Sequence, residues 1–221
     1  MKEHIDNFEV REREYFLQNR KTYAQFERKL KSIFLQDIIN NAYIDAISLY
    51  RFAHEALNNG DQQTSKHCEI LNKILNHCII PASCHICQGT RLGYGGLGVL
   101  IHANTYIGKY CLIGTNVTLA SAPRLGDFIY VATGAKIIGR EISIGSFSII
   151  GANAVVTHDV PPGSIVVGIP SRVVKKITPE NIDNYLTSYL AAARKTEPDF
   201  VSSVRKEFLL YYHSSLAREQ R

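Results

Sequence analysis

The sequence predicts a mainly β chain folded as a parallel β-helix with helical extensions at both ends, and two observations indicate this. First, aliphatic residues recur at a six-residue spacing, which fits neither the alternation of a plain strand nor the period of about 3.6 residues of a helix. A hexapeptide period is typical of a parallel β-helix, in which three short strands and three corners make one triangular coil. The aliphatic positions are Ile80, Ile86, Leu92, Ile101, Ile107, Ile113, Leu119, Leu125, Val131, Ile137, Ile144, Ile150 and Val156.

Second, small residues accompany the aliphatic ones. Most positions directly after them are glycine or alanine, where a larger Cβ would clash with a tight corner. These positions are Gly93, Gly108, Gly114, Ala120, Gly126, Ala132, Gly145 and Gly151. The fifth residue of each hexad is also small, as at Cys84, Thr105, Cys111 and Ala135. Together with the aliphatic residues, these fifth residues are predicted to point into the interior of the coil.

The six-residue register slips at two places. Residues 92–100 form a segment of nine residues, and residues 137–143 form one of seven. An insertion into a solenoid must loop out on one face, and such loops tend to carry the binding function. We therefore expect the active site beside the first insertion, with Tyr94, Gly95 and Gly96 contacting the acceptor.

The helical segments flank this repeat in a tripartite chain. Residues 1–78 carry helical spacing, with a break at residues 58–61 before a last helix over residues 64–76. The β-helix is predicted over residues 79–176. In residues 177–221, Thr178 as an N-cap and Pro179 at the first helical position predict a helix to about residue 194, and a second helix follows from about residue 198 to 216. Both helical blocks are expected to cover the ends of the solenoid.

Length and composition favour one catalytic unit in the cytoplasm. The chain has 221 residues, enough for one substantial core with appendages. It has no apolar stretch of about 18 residues or more, and its charged start is unlike a signal peptide. Five cysteines, an odd number, indicate reduced thiols. Cys84 and Cys87 resemble half of a zinc site, but the sequence has no second CxxC or HxxxH, so we expect no metal.

The net charge of +5 is carried largely by basic residues in the helical ends. We interpret them as solvated helix faces and not as a site for a polyanion or a membrane surface, so no nucleic-acid partner is expected. The basic residues are Arg11, Arg13, Arg20, Lys21, Arg28, Lys29 and Lys31.

Two stretches resemble a known family. Residues 49–60 with 71–75 resemble the helix pair that precedes the β-helix in serine-acetyltransferase-like proteins, and residues 150–162 with 168–173 resemble the terminal coil and exit loop of the wider superfamily. With the hexads, the resemblance to the left-handed parallel β-helix acyltransferases covers roughly residues 48–176. It implies a homotrimer, or a dimer of trimers, that transfers an acetyl group from acetyl-CoA in a site shared between subunits.

The chain departs from that family at its catalytic positions. Serine acetyltransferases place an Asp-His pair where this chain has Gly93 and Tyr94. They usually carry a second histidine on a loop after the hexad that begins at Leu119, whereas this chain runs directly on to Leu125. Galactoside and antibiotic acetyltransferases have their catalytic histidine on the equivalent loop. These differences place a sugar hydroxyl before L-serine as the expected acceptor.

A neutral alcohol attacks a thioester poorly, so a base is required, usually a histidine. His102 directly follows the insertion at an outward corner and is our first candidate, although a corner or interface role is open. His85 lies one coil earlier and is the second candidate. Tyr94 is either an aromatic lid over the glycines or a direct contact that assists catalysis.

The resemblance also implies residues that bind acetyl-CoA. Thr133 falls at a pantetheine-side position, Gly151 and Ala152 at a corner whose backbone meets pantetheine, and Thr157 with His158 near the adenine. Arg172 and Lys175 match the basic exit that meets the CoA phosphates, a task that suits cations with several donors. The alternative for these two residues is a solvated end of a strand.

The sequence therefore predicts an acetyl-CoA-dependent O-acetyltransferase that acts on a sugar hydroxyl in surface-polysaccharide biosynthesis. Serine O-acetylation is the first alternative. A noncatalytic β-helix scaffold that has lost the family histidines is the second. A zinc carbonic anhydrase on the same fold would need three histidines on facing coils, which the sequence does not supply.

Overall fold

A computed structural model of the protein describes residues 45–219. Two helices, α1 (Ala46–Asn58) and α2 (Gln62–Leu75), come first. Each begins at an aspartate: the side chain of Asp45 accepts the N–H of Ser48 at 2.8 Å, and that of Asp61 accepts the N–H of Thr64 at 2.9 Å, which satisfies donors that a helix start leaves unpaired. The predicted break between these helices is confirmed. The basic residues quoted from the first 31 positions lie outside the described residues.

The predicted β-solenoid is confirmed, with about four turns. Its strands are β1 (His85–Ile86), β2 (Arg91–Leu92), β3 (Leu100–Ile101), β4 (Tyr106–Ile107), β5 (Leu112–Ile113), β6 (Thr118–Leu119), β7 (Arg124–Leu125), β8 (Tyr130–Val131), β9 (Lys136–Ile137), β10 (Ser143–Ile144), β11 (Ile149–Ile150), β12 (Val155–Val156), β13 (Ser164–Val167) and β14 (Arg172–Lys176).

Every third strand pairs in parallel, so the coils stack into three sheets. Sheet 1 contains β1, β4, β7 and β10. Sheet 2 contains β2, β5, β8, β11 and β13, and β14 adds to it antiparallel. Sheet 3 contains β3, β6, β9 and β12. The cross-section of each coil is therefore a triangle, and sheet 1 lies opposite the edge where sheets 2 and 3 meet.

The interior matches the predicted hexad pattern. All the aliphatic positions of the register are buried, the most exposed being Leu92 at 9 %. The small fifth residues also point inward, since Cys84, Cys111 and Ala135 are fully buried. Burial raises the pKa of the Cys111 thiol to about 12, so it remains a neutral, inert core group.

The corners show why glycine follows the aliphatic residues. A Cβ on Gly108 would lie 2.4 Å from the carbonyl oxygen of Gly126 in the next coil, so glycine is needed for close approach of the backbones. In the corners between sheets 1 and 2, the residue two positions after this glycine has a left-handed backbone and a bulky side chain. These residues are Tyr110, Phe128 and Phe147, with φ of 54°, 55° and 60°.

These three side chains stack along the solenoid as an aromatic ladder. The ring centroids of Tyr110 and Phe128 are 5.5 Å apart, and those of Phe128 and Phe147 are 5.1 Å apart. The last helix, α3 (Pro198–Glu219), packs on the ladder through Phe200 and Phe208, whose centroids lie 4.9 Å from Tyr110 and 5.3 Å from Phe147. The predicted second C-terminal helix is confirmed, and it covers a side of the solenoid.

The N-terminal helices cover the first coil. The phenol of Tyr50 in α1 donates to the carbonyl of Cys84 at 2.8 Å and accepts the N–H of Ile86 at 3.0 Å. These bonds satisfy backbone groups at the open end of the stack. None of the helices within residues 45–219 combines the length and apolarity that crossing a bilayer requires.

The predicted helix up to residue 194 is wrong. Residues 182–194 form short 3₁₀ and π turns instead. The side chain of Asn181 accepts the N–H of Thr178 at 2.9 Å and donates to the carbonyl of Lys176 at 3.0 Å. Such side-chain bonds offer the backbone an alternative to helix formation, so Thr178 does not act as an N-cap.

Candidate functional site

The predicted site residues concentrate on the edge between sheets 2 and 3. We call this the insertion edge, and it consists of residues 93–99, 114–117, 132–135 and 151–154. Small residues let the backbones of successive coils approach closely at this edge. A Cβ on Gly114 would lie 2.7 Å from the backbone nitrogen of Thr133. The hydroxyls of Thr115 and Thr133 meet at 3.3 Å on its surface. A long flexible ligand could therefore lie against the backbone of successive coils.

Backbone donors at equivalent positions are unused along the insertion edge. The N–H groups of Thr115, Thr133 and Ala152 make no hydrogen bond within residues 45–219. They occupy equivalent positions of three successive coils, which are about 4.8 Å apart. A row of amide donors with this spacing suits a ligand that carries carbonyl oxygens along its length.

Tyr94 projects from the insertion at the head of this edge. Its backbone is left-handed, with φ of 48°, and its side chain is 90 % exposed. A non-glycine residue in this region costs of order 1 kcal/mol and persists where its surroundings fix it. Gly96 supplies that fixation, because a Cβ there would lie 2.9 Å from Ala46 of α1. The predicted acceptor contacts Tyr94, Gly95 and Gly96 thus share one loop that packs against α1 through Gly96.

Two further tyrosines stand beside this loop. Tyr130 points outward from sheet 2, and the ring of Tyr189 meets it edge-on with centroids 5.1 Å apart. Burial raises the pKa of Tyr130, and the neighbouring phenols of Tyr189 and Tyr94 add to the effect, so Tyr130 remains a neutral donor. Sequence reasoning missed Tyr189, because the turn that carries it has no recognisable pattern.

The predicted CoA residues fall into two neighbouring groups. Thr133, Gly151 and Ala152 lie on the insertion edge. Arg172 and Lys175 are exposed on β14, and the loop between β13 and β14 is bonded to β12, with the N–H of residue 171 donating to the carbonyl of residue 155 at 2.8 Å. The basic exit therefore lies at the end of the insertion edge.

The basic side chains of this exit have modest contacts. Arg172 donates to the carbonyl of Ser171 at 2.9 Å, and the ammonium of Lys175 lies 5.8 Å from the ring centroid of Tyr185. Both remain free to meet an anionic group. Thr157 and His158 are exposed on the turn between sheets 3 and 1, one corner away from the insertion edge.

The candidate bases, His102 and His85, lie away from the insertion edge of their own chain. His102 is exposed on the turn between sheets 3 and 1, and its Nδ1 accepts the N–H of Asn104 at 3.2 Å. In the neutral imidazole this contact puts the ring proton on Nε2. His85 points outward from sheet 1, on the opposite side of the coil from Tyr94. Neither histidine lies on the same edge of the solenoid as Tyr94.

No group of three His, Cys, Asp or Glu side chains within residues 45–219 is arranged to hold a metal ion. The thiol of Cys87 instead donates to the phenol of Tyr106 at 3.3 Å. The two thiols of the motif formed by Cys84 and Cys87 are separated, because Cys84 points into the interior of the solenoid.

Serine acetyltransferases recur in the comparisons with known proteins, although no family model matches the chain. A serine acetyltransferase of Synechococcus elongatus is 38% identical over 119 residues, which cover 48% of this chain and 48% of the relative. A serine acetyltransferase of Staphylococcus aureus is 30% identical over 171 residues, covering 66% of this chain and 76% of the relative. The chain spans about half the length, or less, of the first curated relatives it matches. Among solved structures, a serine acetyltransferase in complex with CoA superposes with a TM-score of 0.55 at 27% identity, covering 58% of this chain and 55% of that one.

Proposed function

This chain belongs to the serine acetyltransferase family, and on that premise we propose that it transfers an acetyl group from acetyl-CoA to a hydroxyl of a small acceptor. The observation that carries the proposal is the row of unused N–H groups of Thr115, Thr133 and Ala152. It lies on the insertion edge and ends at the basic exit. The solved CoA complex of a relative supports acetyl-CoA as the donor.

We assign acetyl-CoA to the insertion edge by chemistry. The pantetheine arm has two amide carbonyls, which are acceptors for the unused N–H groups, and its phosphates suit Arg172 and Lys175. Fixed N–H donors near the thioester would also stabilise the oxyanion that forms when the acceptor attacks. Thr157 and His158 remain proposed contacts of the adenine end.

L-serine is the first acceptor to consider, because the relatives are serine acetyltransferases. A specific observation favours a sugar hydroxyl as the second. The positions that resemble the Asp-His pair of those enzymes hold Gly93 and Tyr94, and the phenols of Tyr130 and Tyr189 stand beside them. Neutral phenols hydrogen-bond hydroxyls well, whereas a zwitterionic amino acid needs charged partners.

We propose His102 as the base, with His85 as the alternative. His102 can take a proton on Nε2 only when its Nδ1 carries the ring proton, so the contact with the N–H of Asn104 must be given up during the reaction. Imidazole rotation on an exposed turn is inexpensive. The attacking hydroxyl would lose its proton to His102 as it bonds to the acetyl carbon, and the thiolate of CoA would leave.

We also propose a trimer or a dimer of trimers. Sheet 3 and its borders expose apolar side chains that a monomer would leave in water, namely Ile79 at 47 %, Leu97 at 49 %, Leu100 at 39 % and Ile138 at 45 %. Three copies packed through this face would bring the insertion edge of one against the turn between sheets 3 and 1 of the next. That turn carries His102, so the assembly would complete the site.

A thiol-release assay tests the proposal. The protein is incubated with acetyl-CoA and, separately, L-serine, nucleotide sugars and oligosaccharides, and free CoA is measured with a thiol reagent. Turnover with L-serine supports the first acceptor, and turnover with a saccharide supports the second. Calorimetric binding of CoA without turnover on any acceptor would favour the noncatalytic scaffold.

A further inference from the structure

Sheet 1 carries planar polar side chains on the side of the solenoid opposite the insertion edge. His85 of β1, Tyr106 of β4 and Arg124 of β7 are aligned partners in adjacent strands. All three point outward, and we call them the sheet 1 row. They span two strand spacings, or about 10 Å.

Stacking fixes the orientation of the row. The rings of His85 and Tyr106 are 7° from parallel with centroids 5.1 Å apart, and the guanidinium carbon of Arg124 lies 4.9 Å from the centroid of Tyr106. His54 of α1 meets His85 edge-on at 6.0 Å. Because the planes cover one another, the edges that carry the N–H and O–H groups are left facing solvent.

Two members of the row, His85 and Arg124, have no hydrogen-bond acceptor among residues 45–219. The side chains of His85 and Arg124 make no hydrogen bond or ion pair there. The phenol of Tyr106 is hydrogen-bonded to the thiol of Cys87 at 3.3 Å. That hydrogen bond, with burial, raises the pKa of Tyr106 to about 12, and the phenol therefore remains a donor at neutral pH.

Corresponding positions on the other sheets differ. On sheet 3, the ammonium of Lys136 donates to the carbonyl of Asn116. On sheet 2, Arg91 is exposed, and its aligned partner is Leu112, which is not aromatic. Stacked polar side chains on three consecutive rungs are thus found, within the described part of the chain, on sheet 1.

We propose that the sheet 1 row binds a phosphate-type oxyanion. A phosphate offers several acceptor oxygens and at least one negative charge, which match a guanidinium aligned with the polar groups of a phenol and an imidazole. The stacking holds the donors in place before binding, which lowers the entropic cost of ordering them. The carboxylate of Asp127 lies near Tyr106 but is engaged by the N–H of Lys109 at 2.7 Å.

Calorimetric titration of the full chain with inorganic phosphate and, in a second arm, glycerol 3-phosphate tests this site and distinguishes a free phosphate from an ester. Arg124→Gln should weaken binding at least about tenfold, the effect of losing one charge-assisted contact. His85→Phe keeps the ring stack but removes the N–H, and should weaken binding less than Arg124→Gln. Arg91→Gln is the matched control and should bind as the wild type does.

Absence of saturable binding of either probe up to about 10 mM, which corresponds to a binding free energy weaker than about 3 kcal/mol, would overturn the proposal. Equal losses in Arg124→Gln and Arg91→Gln would also overturn it, because they would indicate general charge attraction. Thermal melts of each variant confirm that the solenoid is intact. The titrations contain no acetyl-CoA, so their outcome is independent of the proposed acetyl transfer.

Discussion

Replacing His102 by asparagine separates its chemistry from its structural role. The residue is exposed, and its one described hydrogen bond is the contact of Nδ1 with the N–H of Asn104 at 3.2 Å. The Oδ1 atom of asparagine can take the place of Nδ1 and keep that contact, whereas nothing replaces Nε2. The substitution therefore removes the proposed base while it preserves the turn.

The size of the expected effect follows from these contacts. A general base contributes about 10² to 10⁴ in rate, equivalent to about 3 to 5.5 kcal/mol of activation free energy. The hydrogen bond to Asn104 is worth about 1 kcal/mol of stability, and it is retained. We expect kcat on the best acceptor to fall at least about a hundredfold in the thiol-release assay, with CoA affinity and Tm unchanged.

His102→Gln is the matched control, because its Oε1 stands in for Nε2 and the contact with Asn104 is lost. If His102 is the base, both variants lose turnover. If it is only a corner residue, His102→Asn turns over within about threefold of the wild type, well short of a chemical defect. That result would refute the assignment and direct attention to His85 or Tyr94.

Three further predictions concern CoA, assembly and stability. Arg172→Ala with Lys175→Ala should weaken CoA binding by about 1 to 3 kcal/mol in calorimetry, and an unchanged affinity would locate the phosphates elsewhere. Light scattering at micromolar concentration should report about 75 or 150 kDa, three or six times the 24.8 kDa chain; a stable monomer would remove the shared site. Phe147→Ala should lower the free energy of unfolding by about 3 to 5 kcal/mol in urea titrations, because the ring contacts both Phe128 and Phe208; a loss below about 1 kcal/mol would show that the ladder is not cooperative with the core.

The solenoid could be predicted from the sequence because its period is enforced by sterics. Each aliphatic position must fill the same narrow interior, and each following glycine must let two backbones approach, as Gly108 does with Gly126. Such constraints repeat in every coil, so they leave a strong pattern. The six-residue register is therefore sufficient to locate the coils and the insertion.

The side-chain assemblies on the surface of the solenoid could not be predicted in the same way. The aromatic ladder depends on Tyr110, Phe128 and Phe147 adopting a left-handed backbone, which bulky residues rarely do. Its signal, an aromatic residue recurring once per coil, is visible only when the coil length is known. Tyr189 reaches Tyr130 from a turn that formed because Asn181 competed with a helix.

The candidate site was predicted in part for a related reason. The insertion and the unused N–H groups follow from the repeat, and Tyr94 follows from the insertion. The positions of His102 and His85 on other sides of the coil follow from the order in which strands visit the three sheets, which a linear list of histidines does not reveal. Which of them serves catalysis remains a prediction.

Helix α3 changes how this solenoid is expected to unfold. A stack of coils behaves as a nearly one-dimensional chain in which each coil contacts only its neighbours, so a terminal coil can fray by itself. Phe200 and Phe208 hold Tyr110 and Phe147, which belong to coils two strand spacings apart. One helix therefore bridges coils that are two strand spacings apart, and opening the coil of Phe147 requires Phe208 to leave its ring. Denaturation of residues 100–214 should accordingly follow a single cooperative transition, in contrast to the stepwise melting of an unbraced repeat.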